Sequence, residues 1–193
     1  MSMTTGSASS STQSTGKTVG LGAVAGFGAA LLGYLVTYVA TSSTIENSTA
    51  SQILEALGSD ISTWKVVGWV FLNAHGVSTT FPGLFGTTSS VNLIEGVEAF
   101  SPVLYAVPVI ALLVAGVVAA VASGASAAKS GAIAGGGTVL GYLPVALAGL
   151  ALFAVTIGDA TARPDPVTTV LLAGLVYPAV LGIVGGVVVS VLR

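Results

Sequence analysis

The chain has 193 residues, 53% of them hydrophobic and only 6% charged, with five basic and seven acidic side chains and a net charge of −2. An ordinary soluble domain carries about 25% charged residues, so this chain lacks the charged skin a water-soluble fold of its size requires. Cysteine is absent, which excludes disulfides, thiolate nucleophiles and cysteine-held metals, and the acidic balance gives no nucleic-acid footprint.

Residues 1–16 are mostly Ser, Thr and Gly without a charged side chain. Such a segment buries too little surface to offset its ordering entropy and reads as a disordered tail. Lys17 precedes the first apolar run, residues 19–40. That run has the length of a spanning helix, about 20 residues, rather than of a signal-peptide core of about 7–15. It is therefore expected to be retained, although Ala40-Thr41-Ser42 resembles a cleavage site.

Residues 41–63 turn polar and acidic. Residues 64–77, WKVVGWVFLNAHGV, then gather both tryptophans and the only histidine. As a helix this stretch covers about 21 Å, short of the roughly 30 Å of a hydrocarbon core. A Gly/Thr/Ser/Pro loop is expected over 78–90, and Glu95 and Glu98 in the next segment share a face if it is helical. Further spans are expected at 102–121, 132–157 and 167–192. Lys129 sits in the loop between the second and third, and GDATARPDP (158–166) forms a tight polar turn before the fourth.

Charge placement sets an expected topology. Lys17, Lys129 and Arg193 flank span ends in segments free of acids, whereas all seven acids lie in the other connections with Lys65 and Arg163. Basic flanks stay cytoplasmic, which gives four crossings with both termini inside. Were residues 64–77 a fifth span, the bias would reverse and Lys65 would enter the bilayer at a cost of about 2.5–3.5 kcal/mol. The stretch is therefore expected to be external, interfacial or re-entrant, within an outer insertion over 41–100.

Two segment pairs resemble each other. Residues 22–35 (GAVAGFGAALLGYL) parallel 131–143 (GAIAGGGTVLGYL), and 107–121 align without a gap over 177–191, matching Pro108 with Pro178 and Gly116 with Gly186. The expected fold is thus an all-α integral membrane protein. Its four transmembrane helices form two helical hairpins in parallel repeat, plus an external or re-entrant short helix in the first outer loop. Small residues at four-residue spacing, such as Gly22-Gly26-Ala30 and Gly182-Gly186-Ser190, are expected to pack the helices closely.

Few residues offer chemistry. Pro108, Pro144 and Pro178 interrupt the spans and each has a neighbouring tyrosine, Tyr105, Tyr142 or Tyr177. Tyr142, Tyr177 and Thr138, with Thr156, either satisfy carbonyls freed by those prolines or line a hydrated path. In the outer segment, Trp64 and Trp69 read as interfacial anchors, Asn73 as a local hydrogen-bonding residue, and His75 as a structural histidine rather than a metal ligand. No hydrolase, metalloprotease or phosphate-loop motif is present, and nothing calls for a catalytic residue, a metal or a cofactor.

The GY-containing first span, the KVVGWVFLNAHGV stretch and the LLAGLVYPAVLG last span resemble a group of small multi-pass membrane proteins of haloarchaea, some carried under a generic transporter label. The resemblance implies an archaeal membrane protein and brings no activity with it. The expected function is a non-enzymatic structural or partner-binding component of the cell membrane, acting through its outer segment on a membrane or extracellular protein. The alternative is a small oligomeric transporter or channel. The lipid bilayer is the expected partner in either case, with a homo-oligomer compatible with both.

Overall fold

The computed structural model describes residues 7–48, 61–83, 87–157 and 160–193. The fold is mainly α-helical, and four of its helices are long and apolar enough to cross a membrane: Thr15–Glu46, Pro102–Ser123, Ala128–Leu152 and Pro166–Leu192.

The first belongs to α1, Ser7–Glu46. It starts inside the segment expected to be a disordered tail, so residues 7–16 are helical; extending a helix already nucleated by an apolar run is far cheaper than starting one. It also continues past the expected end at residue 40. Thr37 and Thr41 are buried there, and their hydroxyls donate to the carbonyls of Gly33 (2.8 Å) and Thr37 (2.7 Å), so these polar side chains need no partner outside the helix.

The short helix α2 is Thr63–Asn73 and α3 is Leu93–Gly96. A 3-10 turn, Pro102–Tyr105, leads into α4, Ala106–Ser123. The third membrane-length helix consists of α5, Ala128–Gly136, and α6, Thr138–Leu152, meeting at Gly137. In the fourth, a single turn α7 (Pro166–Thr168) runs through a π-helical segment, Thr169–Val176, into α8, Tyr177–Leu192. The wide π turn directly precedes Pro178, whose ring cannot donate to the ladder and would crowd the carbonyl four residues back.

A small four-stranded sheet corrects the reading of two connections. β1 (Thr79–Pro82) and β2 (Thr88–Val91) occupy the expected loop, while β3 (Val155–Ile157) and β4 (Ala160–Pro164) replace the end of the third span and the tight turn. The order is β2-β1-β4-β3, with Thr79 opposite Val91 and Pro164, and Val155 opposite Ala162. The β-branched run Val155-Thr156-Ile157 favours a pleated strand over a further helical turn.

Contacts divide the chain into two compact units. Unit 1 comprises Met1–Ala29, Leu112–Tyr142 and Pro178–Arg193; unit 2 comprises Ala30–Ala111 and Leu143–Tyr177. Unit 1 is packed through glycine. The Gly182 carbonyl occupies the space a Cβ on Gly116 or Gly135 would need, and Gly22 and Gly26 press on the Ala134 and Thr138 carbonyls. The expected four-residue stripes thus serve contacts within the chain. The Ser190 hydroxyl donates to the Gly186 carbonyl (2.8 Å) along the same seam.

Unit 2 has a different core, built from larger side chains. Val67, Val70 and Ala74 of α2 cluster with Ile45, Ile94, Phe100 and Leu104, and Trp69 clusters with Val155 and Ala162 of the sheet. Large apolar side chains are meanwhile exposed along each long helix, among them Leu32, Ile110, Leu140 and Val180. Glycine in the contacts and bulky aliphatics outside is the pattern of helices whose solvent is hydrocarbon.

Candidate functional site

Within the expected outer segment, the short helix α2 is buried rather than exposed. On α2, every residue from Val67 to Asn73 is buried, and so are Ala74, His75 and Val77 beyond it. The helix ends in a Schellman turn: the Val77 amide donates to the Leu72 carbonyl (3.3 Å) and the Gly76 amide to that of Asn73 (2.9 Å). Gly76 has φ +77°, a left-handed conformation that suits glycine.

Burial corrects the assignment of Trp69 as an interfacial anchor, since it is only 3% exposed against 38% for Trp64. Its indole Nε1 donates to the Phe153 carbonyl (2.7 Å), which meets the polar requirement an anchor would have met at the headgroups. The Phe153 ring in turn lies against Gly68 and stacks on Tyr34 at 5.8 Å, while the Tyr34 hydroxyl donates to the Trp64 carbonyl (2.9 Å).

Lys65 explains how a basic residue fits beside this core. Its Nζ donates to the Ala154 carbonyl (2.9 Å), just past the C-terminus of α6, and lies 5.6 Å from the Trp64 ring centroid. The negative end of a helix dipole and an aromatic face are both favourable neighbours for an ammonium group.

Asn73 is a local hydrogen-bonding residue, as expected, and more than that. Its Nδ2 donates to the Val77 carbonyl (2.7 Å) and to Thr79 Oγ1 (3.2 Å), while its Oδ1 accepts from the Leu93 amide (2.9 Å). Asn92 adds a second layer, with Nδ2 near both the Asn73 carbonyl (3.3 Å) and the Tyr105 hydroxyl (2.9 Å). Tyr105 then donates to Glu95 Oε1 (2.9 Å). Glu95 and Glu98 do not share a helical face, because α3 ends at Gly96.

The sequence reading missed Asn92, Tyr105 and Thr79 as a set. One signal was present. Asn92 precedes Glu95 by three positions, the spacing of a helix N-terminus, and its Oδ1 accepts from the Ile94 amide (3.0 Å).

His75 is fully buried, and its Nδ1 lies 2.8 Å from the Phe71 carbonyl oxygen. A carbonyl only accepts, so Nδ1 carries the hydrogen of the neutral ring. Burial lowers the imidazole pKa from 6.5 to about 4, against the opposing pull of the Phe71 carbonyl. The rings of Phe71 (5.0 Å) and Tyr177 (5.2 Å) flank it.

The residues expected to satisfy freed carbonyls or to line a path fall in both units, and each is described within its own. Tyr177 belongs to unit 2, where it meets His75, and Thr156 lies in β3. Thr138 and Tyr142 belong to unit 1 and are fully buried. The Thr138 hydroxyl lies 2.7 Å from the Gly135 carbonyl and 2.9 Å from that of Pro178, so it links two helices of unit 1. Among the described residues, no three of His, Asp and Glu come together as metal ligands.

The arrangement is that of a small helical protein with four membrane-length helices and a buried short helix framed by a sheet. The chain belongs to a family of unknown function, DUF7978, whose model matches residues 1–193. No curated protein and no solved structure matches the chain.

Proposed function

We propose that the protein crosses the cell membrane four times with both termini cytoplasmic, and that it is a non-enzymatic component that presents a folded, acidic outer segment to a protein partner. The observation that carries this reading is the division of charge between the two units. Unit 1 contains Lys17, Lys129 and Arg193 and no acid, whereas unit 2 contains all seven acids together with Lys65 and Arg163. Basic residues are retained on the cytoplasmic side, so the acid-free segments that carry Lys17, Lys129 and Arg193 support cytoplasmic termini.

Two features weigh against transport. The glycine seams of unit 1 bring backbones into contact, and the hydroxyls of Thr138 and Ser190 are spent on helix carbonyls. Val67–His75 and Val77 are buried, which favours a contact elsewhere in the segment. The contact is assigned instead to the exposed strand β2, Thr88–Val91, an edge of the sheet.

A photo-crosslinking side chain at Ser89, placed in the protein in its native membrane, is expected to give a discrete protein adduct. The same group at Val114, an exposed apolar position on α4, is expected to give lipid adducts only. Saturable solute flux through proteoliposomes, with no adduct at Ser89, would replace this reading by the transport one.

A further inference from the structure

The small sheet has two faces, and they differ in kind. Paired residues on neighbouring strands share a face, which groups Thr80 with Ser90 and Arg163, and Thr156 with Thr161. Residues two apart on a strand share one as well, so Thr161 joins Arg163. The other face holds Phe81, Val155 and Ala162, which pack against Trp69 of α2. On the first face Arg163, Thr161, Thr156 and Ser90 are exposed. That face is a single guanidinium set among hydroxyls.

Arg163 is not spent within the chain. Asp165, its nearest acid in sequence, accepts from the Thr168 amide and hydroxyl (2.8 Å each) at the start of α7. Among the described residues, no carboxylate pairs with Arg163. The other basic side chain of unit 2, Lys65, is held at the Ala154 carbonyl. The face also stands close to the ends of two membrane-length helices. One starts at Pro166, three residues after Arg163, and another ends at Leu152, four before Thr156. Extended chain covers about 3.3 Å per residue, so Arg163 lies within about 10 Å of that helix start. Leu152 and Val167, at these ends, are exposed apolar side chains.

We propose that this face binds the headgroup phosphate of an anionic phospholipid of the surrounding bilayer, with Arg163 as the cation and Thr80, Ser90, Thr156 and Thr161 as hydroxyl donors. The proposal rests on the four crossings read above, which put the face beside the headgroup layer, about 5–8 Å deep on each side of the hydrocarbon. A guanidinium presents a planar fork of N–H donors that matches two phosphate oxygens, and hydroxyls donate to others. The choline of phosphatidylcholine neutralises its own phosphate, so the guanidinium gains most from a headgroup of net negative charge. The bilayer supplies that anion at high local concentration, which favours lipid over an acidic protein segment. Unit 2 holds all seven acids, so its averaged field repels anionic lipid. Enrichment of such a lipid at this face must therefore come from the local contact.

Thr88 lies on the same face, paired with Pro82, and is exposed without belonging to the site. A photo-crosslinking side chain there is placed in protein reconstituted into phosphatidylcholine vesicles with a minor fraction of phosphatidylglycerol, and the adducts are identified by mass spectrometry. Phosphatidylglycerol is expected in the Thr88 adducts at roughly five times its share of the vesicle, the effect of about one basic side chain at an anionic surface. The same group at Val114, an exposed position on α4, should return the vesicle's own proportions. Arg163→Gln should bring the Thr88 adducts down to those proportions, while Arg163→Lys, which keeps the charge, should stay enriched. Inorganic phosphate added at constant ionic strength should change nothing. The proposal is overturned by vesicle proportions at Thr88 in the wild type, by enrichment unchanged in Arg163→Gln or lost in Arg163→Lys, by its loss to inorganic phosphate, or by protein adducts in place of lipid at Thr88. Absence of lipid adducts at Val114 would instead remove the four crossings, and the site with them.

Discussion

Replacing Gly182 with alanine is expected to destabilise this protein strongly. A Cβ there would meet the Thr138 hydroxyl oxygen and the Gly135 carbonyl oxygen, and the Gly182 carbonyl already fills the space above Gly116 and Gly135. Backbone and a doubly engaged threonine cannot swing aside as the end of a flexible side chain can. Overpacking of this kind costs about 1–3 kcal/mol, a large share of a total stability of about 5–15 kcal/mol. Gly28→Ala is the matched control. No atom lies within 4 Å of a Cβ at Gly28, and replacing a helical glycine by alanine gains up to about 1 kcal/mol of propensity. Thermal unfolding in detergent should therefore move in opposite directions for the two variants. Equal transitions would mean that the glycine seam of unit 1 does not exist.

The second large effect is expected at Asn73, where the side chain is fully buried and makes three hydrogen bonds. Asn73→Leu keeps the volume but leaves the Leu93 amide, the Val77 carbonyl and the Thr79 hydroxyl to find other partners. Each buried polar group left unpaired costs about 1–3 kcal/mol, so a loss of about 3 kcal/mol or more is expected. The damage should centre on the strand and turn that Asn73 ties to α2, read as faster amide exchange over residues 77–82 and 91–96. Thr80→Val, which removes a 3.5 Å contact with Ser90 between exposed side chains, is expected to stay within about 0.5 kcal/mol of wild type. Equal losses for the two variants would remove Asn73 from the centre of unit 2.

The helices were legible because their signal is long and redundant. Apolar runs of spanning length and small residues at four-residue spacing located four membrane-length helices and the seam at Gly182 and Gly186. The sheet was not read because its strands are only three to five residues long, and two of them, β1 and β4, end in proline, which argues against strand when met in isolation. A hairpin signal was nevertheless present in Val155-Thr156-Ile157 and Ala160-Thr161-Ala162, separated by Gly158-Asp159.

The site was partly legible. Asn73 and His75 were picked out by being unusual in their surroundings, and both are buried with hydrogen-bond partners. Their true neighbours were beyond reach, since Phe153, Asn92 and Tyr177 are brought to α2 by folding over sequence separations that periodicity does not see. Tyr34 and Tyr142 each follow a glycine in the sequence, and only folding shows that the Tyr34 hydroxyl donates to the Trp64 carbonyl and that Tyr142 is buried.

The proposed topology has four crossings, with α2 not becoming a fifth. The cysteine-free chain permits a direct measurement. Single cysteines at the exposed positions Ser43, Ser89, Ser126 and Thr161 are treated in intact cells with a membrane-impermeant thiol reagent. Ser43 and Ser89 lie on either side of α2, so their agreement or disagreement counts its crossings. Labelling at 43, 89 and 161, with 126 reacting only after permeabilisation, is the predicted result. Protection at 89 together with labelling at 43 would make α2 a spanning helix and contradict the account.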